Sequence, residues 1–243
     1  MLMPITFPKK LEHQDNCLDE TFSLLVWNVH KENQEEEFKF FLEKLLEEYP
    51  SDFLLLQEVK YPKYIKFMFH NYSYALASNI ETTKNIFGVL SACKVSFDKI
   101  DNLLSSKKEL GFTTHKSALL TKHTLHNTQT LYVLNLHAIN FVTHDIFELE
   151  LSNFKKKLKN YEGAFIIAGD FNSWNCKRMN SLERLKKEFS LQKAKIKNDK
   201  HLLQIFSFPI DHIFYRGLEL LEANSIDTKG LSDHNPIYAK FKV

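Results

Sequence analysis

From Thr21 onward the chain alternates short apolar runs with charged, amphipathic stretches, and the two patterns have different periods. TFSLLVWN, DFLLLQEV, YSYALAS, IFGVLSACKV, KSALLTKHTL, TLYVLNLHAIN, GAFIIAGDFN, IDHIFYRG and PIYAKFKV are all of strand length. Several are nearly all apolar rather than alternating, as expected of strands covered on both faces. Between them lie three stretches with helical spacing. Residues 35–49 put Phe38, Phe41, Leu42, Leu45 and Leu46 on one face. Residues 145–159 carry the stripe Phe147, Leu151, Phe154 and Leu158, and residues 178–190 the stripe Met179, Leu182, Leu185 and Phe189. The pattern predicts a polar, extended lead-in over 1–20 and one α/β domain of about ten strands over 21–243.

Composition agrees with that reading and narrows the class. The 243 residues are 44% hydrophobic and 26% charged, a globular balance that excludes disordered and low-complexity chains. A chain this long buries roughly three quarters of its unfolded surface and needs no disulfides to stand. Cys17, Cys93 and Cys176 share no short spacing, which fits idle reduced thiols rather than a disulfide scaffold or a thiolate zinc site. The first fifteen residues lack the apolar core of a secretory signal, and no run has the eighteen or so apolar residues of a membrane span. A soluble, cytoplasmic protein is expected. The formal net charge of +2 excludes a strongly basic coat protein but not a nuclease with a local basic patch.

The candidate chemistry lies at the ends of the apolar runs. LLVWN ends in Asn28, LLLQE in Glu58, VLNLH in His137, and FIIAGD in Asp170 with Asn172 two residues on. In layered α/β proteins, side chains at strand ends converge on a ligand without disturbing the core. Asn, Glu and Asp are hard oxygen donors that suit Mg2+ or Mn2+ better than zinc. Two acid–histidine pairs follow, Asp211-His212 and Asp233-His234. Either the carboxylate binds metal while the imidazole meets phosphate, or one orients the other. Neighbours on a strand point to opposite faces, so Asp211 is expected at the site and His212 elsewhere. Trp174 and Arg178 follow GDFN closely, and Arg178 either meets a phosphate or makes an ordinary helix-start contact. Lys116 opens a strand and could bring a cation to the cleft.

The ordered set WN, QE, NLHA, GDFN and SDHNP resembles the endonuclease/exonuclease/phosphatase family of metal-dependent phosphoesterases, over most of the chain from about Thr21. The resemblance implies a four-layer α/β/β/α sandwich, two mixed β-sheets flanked by helices. It implies Asn28, Glu58 and Asp233 as metal-associated positions and Mg2+ or Mn2+ as the cofactor. It also implies Asp170 as the residue that orients and deprotonates the attacking water, with Asn172 holding a phosphate oxygen and the nucleophile. By the same resemblance His234 donates to the scissile phosphate, Asp211 pairs with it, and His137 is a proton donor to the leaving oxygen. Trp174, Arg178 and Lys116 are the expected substrate contacts.

WNVHK, NLHAINF, GDFNSW, RMN and DHIFYRG resemble a little-characterised bacterial branch, for which the likeness implies metal chemistry but no substrate. Two substrate classes fit that chemistry: nucleic-acid phosphodiesters, which are favoured, and a small phosphorylated molecule or lipid headgroup. A catalytically idle binding protein on the same fold is disfavoured, because the acidic and histidine positions are all present. A nuclease needs an extended basic groove, whereas a small-molecule enzyme needs a closed pocket with local cations.

Overall fold

A computed structural model describes residues 9–11, 17–64, 72–107 and 115–243. The near-continuous apolar runs form the central strands: β2 (Thr21–Asn28) buries seven of its eight residues, and β9 (Ala164–Asp170) buries all seven. Such strands have no polar face to turn to water and must be covered on both sides. Two sheets achieve this by packing face to face.

The first sheet runs β1 (Lys9–Leu11), β4 (Ser73–Glu81), β5 (Asn85–Cys93), β3 (Phe53–Pro62), β2, β15 (Ile237–Lys242) and β14 (Glu219–Ser225). The second runs β10 (Gln192–Lys193), β13 (Asp211–Arg216), β9, β8 (Thr130–His137), β7 (Ser117–Thr124) and β6 (Lys99–Leu104). Each is mixed: β2–β3 and β8–β9 are parallel pairs and the other named pairs antiparallel. Leu24, Val26, Leu55, Val89, Val133, Ile166 and Phe241 belong to the core between the sheets. Helix α1 (Glu36–Glu48) covers the outer face of the first sheet through Phe38, Leu42 and Leu45. Helices α2 (His144–Leu158) and α3 (Cys176–Glu188) cover the second through Phe147, Leu151, Leu182 and Leu185. The result is the expected α/β/β/α sandwich.

Helix bounds fall within two residues of the periodicity's. The strand tally is a correction, since fifteen form among the described residues rather than about ten. The additions are the edge strands β6 and β14 and short pairings: β1, β10 and the hairpin β11 (Gln204–Ile205) with β12 (Phe208–Pro209). Edge strands keep one face in water, so their sequences, KIDNLL and ELLEANS, lack a long apolar run. Of the polar lead-in, Lys9–Leu11 pairs with β4, while 1–8 and 12–16 lie outside the described residues. Cys93 is buried and Cys17 and Cys176 are exposed, all as free thiols. Among the described residues no helix is long and apolar enough to cross a membrane.

Candidate active site

Strand register assembles the site. Asp170 ends β9 directly beside His137 of the parallel strand β8 and beside Asp211 of the antiparallel strand β13. Residues opposite one another in register share a face, so three chemistry-bearing side chains converge on one edge of the second sheet. This close approach depends on Gly169. Its φ is +135°, and a Cβ there would lie 2.0 Å from the Leu136 carbonyl oxygen, so no other residue fits before Asp170. From the first sheet, Asn28 ends β2 and Glu58 sits in a bulge of β3 with φ of 52°. A bulge re-aims a side chain out of the alternating pattern, and here it turns Glu58 toward the cleft. The loop before β15 supplies His234.

Short contacts bind these residues into one cluster. His234 Nδ1 lies 2.7 Å from Asp211 Oδ2, and its Nε2 lies 3.9 Å from Asp170 Oδ2. His137 Nε2 is 3.6 Å from the same Asp170 oxygen and 3.7 Å from Glu58 Oε1. Asn28 Nδ2 donates to Asp170 Oδ2 at 3.2 Å, and the Asn172 backbone N–H donates to Asp170 Oδ1 at 2.9 Å. Asn172 has φ of 49°, a left-handed conformation that Asn tolerates, and its Nδ2 donates to the Ala138 carbonyl. The Trp27 indole N–H donates to the His234 carbonyl at 2.9 Å, and the Ser232 hydroxyl to the Asn28 carbonyl at 2.8 Å, fixing the His234 loop on β2.

Burial makes the charges in this cluster consequential. His234 would lose its proton more readily by burial alone, but Asp211, Asp170 and Asp233 overcome this and push it up to about 10. Burial, reinforced by Lys116, drives the His137 ring well below the ordinary histidine value, with Glu58 opposing. Burial and the nearby Asp211 carboxylate raise Asp170 to about 7, against the pull of His234 and the Asn172 N–H. Burial also acts to raise Glu58, but His137, the Lys31 hydrogen bond and Lys116 outweigh it and hold the carboxyl at about 2. One carboxylate therefore faces a charged imidazole on one side and a neutral one on the other.

The expected residues separate into three groups. Asn28, Glu58, His137, Asp170, Asn172, Asp211 and His234 come together. Lys116 joins them, with Nζ 2.9 Å from His137 Nε2. Lys31 joins too, with Nζ 2.9 Å from Glu58 Oε2. Asp233 is exposed and lines a cavity of about 420 Å3 with Glu32, Glu35, Glu36 and Glu37, while its charge still acts on the neighbouring His234. Arg178 follows the second of its two readings, an ordinary structural contact near the helix start. It is 1% exposed, and its guanidinium donates to the carbonyls of Asn172, Ile139 and Val142, so it braces the loop rather than meeting a phosphate. Trp174 lies under that guanidinium, with its indole N–H on Asn140 Oδ1. His212 packs away from the site as expected, 2.7 Å from the Ser173 hydroxyl.

Sequence reasoning passed over Gln57 and Asn135, whose side chains join the two sheets beneath the site at 2.7 Å in full burial. An Asn inside the apolar run VLNLH was the available signal.

The donor set suits a hard divalent cation. Glu58 is ionised and already accepts one cationic group, Lys31 Nζ, while Asn28 adds a neutral oxygen donor. The ligand atoms of Asp170, Asp211 and His234 lie within 4.8 Å of one another.

These features are those of a phosphoesterase fold, and comparison with known proteins assigns the family. Residues 25–234 match the Endonuclease/Exonuclease/phosphatase family, and the chain belongs to it. Members of that family are phosphoric ester hydrolases, generally dependent on a divalent metal. A UPF0294 protein of Vibrio campbellii (strain ATCC BAA-1116) is 31% identical over 229 residues, 92% of this chain and 78% of the relative. Two solved structures share the fold. One is an endonuclease/exonuclease/phosphatase family protein from Leptotrichia buccalis C-1013-b, with TM-score 0.70, 18% identity, 91% of this chain and all of that one. The other is the human Nocturnin catalytic domain with bound sulfate anion, with TM-score 0.67, 15% identity and 97% of each chain covered.

Proposed function

We propose that this protein is a divalent-metal-dependent phosphodiesterase that hydrolyses nucleic-acid phosphodiester bonds by in-line attack of water. The observation that carries the reading is the buried Asp211–His234 hydrogen bond beside Asp170, a charged donor and a proton acceptor set against one another. A phosphodiester is anionic and repels hydroxide, so hydrolysis needs charge neutralisation and a nucleophile formed near neutral pH. Bound by Glu58 and Asn28, Mg2+ or Mn2+ supplies Lewis acidity at the phosphate oxygens.

The chain's own residues do the rest. Asp170, its Oδ1 fixed by the Asn172 N–H and its Oδ2 by Asn28, takes the proton from the attacking water. Asn172 spends one amide hydrogen on Ala138 and keeps a second donor for a phosphate oxygen. His234 donates through Nε2 to a phosphoryl oxygen as negative charge grows, and Asp211 keeps it protonated. His137, neutral at rest and 3.6 Å from Asp170 Oδ2, takes up the proton that Asp170 removes from water and delivers it to the leaving oxygen. Lys116 adds a cation at the same edge.

The basic runs Lys155–Lys157 and Lys186–Lys187 occupy the last turns of α2 and α3, helices that begin at the site end of the sheet, whereas the lysines of 193–200 lead toward β13. The substrate class is tested by a panel of plasmid DNA, single-stranded DNA and RNA, bis-p-nitrophenyl phosphate and inositol phosphates, with Mg2+, Mn2+ or EDTA. Metal-dependent cleavage of nucleic acid is expected. Turnover of monoesters alone would replace the nuclease reading with a phosphatase.

A further inference from the structure

The two shores of the cleft differ in charge and in exposed apolar surface. On the first-sheet side, residues 29–37 hold four glutamates and one lysine beside the acidic cavity. On the second-sheet side, the segments 138–144, 171–178 and 200–210 contain no Asp or Glu. Lys177 and Lys200 are exposed on that shore. The same segments present Phe141, which is 65% exposed, Phe206, which is 79% exposed, and the half-buried Trp174.

The backbone that carries these rings is held in place. Phe141 and Phe206 have φ of 46° and 51°, a conformation bulky side chains rarely adopt. Phe206 and Ser207, both at positive φ, form the two-residue turn between β11 and β12, where Asn-Gly is the usual choice. Asn140 Oδ1 accepts both the Phe141 backbone N–H and the Trp174 indole N–H, each at 2.9 Å. Ser173 Oγ donates to the Pro209 carbonyl at 2.9 Å, tying the hairpin to the same loop. The three segments adjoin the site ends of β8, β9 and β13, neighbouring strands that span roughly 10 Å. The aromatics thus flank the loop that follows Asp170.

We propose that Phe141, Trp174 and Phe206 form a stacking rim for the unpaired bases of a nucleic-acid strand, which makes single-stranded nucleic acid the substrate of the Asp170 centre. The inference rests on the nuclease reading above. Aromatic faces bind any base through its π-face, and a shore with exposed Lys177 and Lys200, its nearest exposed acids Asp145 and Asp199 at the segment borders, tolerates the phosphate chain. A duplex buries its base faces in its own stack and offers nothing to these rings. The acid-rich opposite shore repels a polyanion, so the strand lies over the aromatic side.

The test compares the wild type with the double variant Phe141→Asn/Phe206→Asn, since Asn removes the ring yet tolerates positive φ. Cleavage in Mg2+ is measured on a labelled single-stranded oligonucleotide, on the same sequence as a duplex, and on bis-p-nitrophenyl phosphate. The wild type is expected to favour the single strand by at least about tenfold in kcat/KM. Loss of the rings is expected to cut single-strand kcat/KM by about tenfold to a hundredfold, mostly through KM, well beyond any change on the small diester. Equal cleavage of single strand and duplex overturns the stacking rim alone. So does a double variant that keeps full single-strand activity. Nucleic acid left intact while the small diester turns over defeats the nuclease reading itself. Co-sedimentation with phosphatidylserine vesicles that is lost in the double variant, with oligonucleotide cleavage unchanged, overturns the rim in favour of a lipid surface.

Discussion

His234 and His137 are both buried, and both lie within 4 Å of Asp170 Oδ2, yet the fold gives them opposite charge states. His234 comes from a loop clamped onto the first sheet and meets Asp211, so its proton is held to about 10. His137 comes from a central strand and meets Lys116, so burial and a like charge keep it neutral. Burial penalises the charged form of both. What separates them is the partner: a carboxylate in one case, an ammonium in the other. One imidazole can then donate to growing negative charge while the other, neutral at rest, passes a proton on, and a single carboxylate between them serves both.

The comparison ranks the expected effects. His234→Ala is expected to cost about a thousandfold or more in kcat, because it removes the charged donor, whereas His137→Ala costs about tenfold to a hundredfold. Steady-state kinetics on bis-p-nitrophenyl phosphate, with circular dichroism to verify folding, decide the order. A larger loss from His137→Ala would reverse the roles assigned here.

The next effect is on pH dependence. In the wild type the alkaline limb of kcat/KM should lie near 10, where His234 loses its proton. Asp211→Asn keeps a hydrogen-bonding group but removes the charge, so the limb should move down toward the ordinary histidine range. An unmoved limb would separate Asp211 from His234 titration.

Stability of the metal-free protein should carry the two histidines with opposite sign. His234, raised on folding, contributes fully below the unfolded value near 6.5, and the contribution is lost as pH rises through about 10. His137, depressed on folding, contributes above 6.5 and loses that contribution as pH falls below it. Urea unfolding of His137→Gln should therefore show a smaller loss of stability on acidification than the wild type. The smallest effect belongs to Lys31→Ala. Its ammonium is half exposed on Glu58, so kcat/KM at saturating Mg2+ should change by about threefold or less.

Much of this arrangement was legible in sequence because the same residues end apolar strands. WN, QE, NLH and GD each mark a point where a buried strand reaches the rim, so strand ends and chemistry coincide. Asp211 against His212 was also legible, since alternation sends neighbours to opposite faces. Asp233 was placed by the resemblance alone, and its exposure was not legible because it sits in the loop before β15, where no alternation fixes its direction. Arg178 stayed open in sequence because a guanidinium beside a phosphate motif can as well satisfy backbone carbonyls, and its burial is not legible there. β6 and β14 were missed because half-exposed edges dilute the apolar signal, and LELLEAN reads equally well as a helix. The split between the two histidines was out of reach of sequence, since it depends on Lys116 and Asp211, each more than twenty residues away from its partner.

The central claim is that Asp170 activates water for phosphodiester hydrolysis between these two rings. Its most direct test is the Mg2+-dependent turnover of bis-p-nitrophenyl phosphate by the wild type and by Asp170→Asn, each with an EDTA control. Wild-type hydrolysis that EDTA abolishes, and that falls by about a thousandfold or more in a folded Asp170→Asn protein, is the result expected. Equal turnover by the two proteins, or turnover indifferent to EDTA, would contradict it.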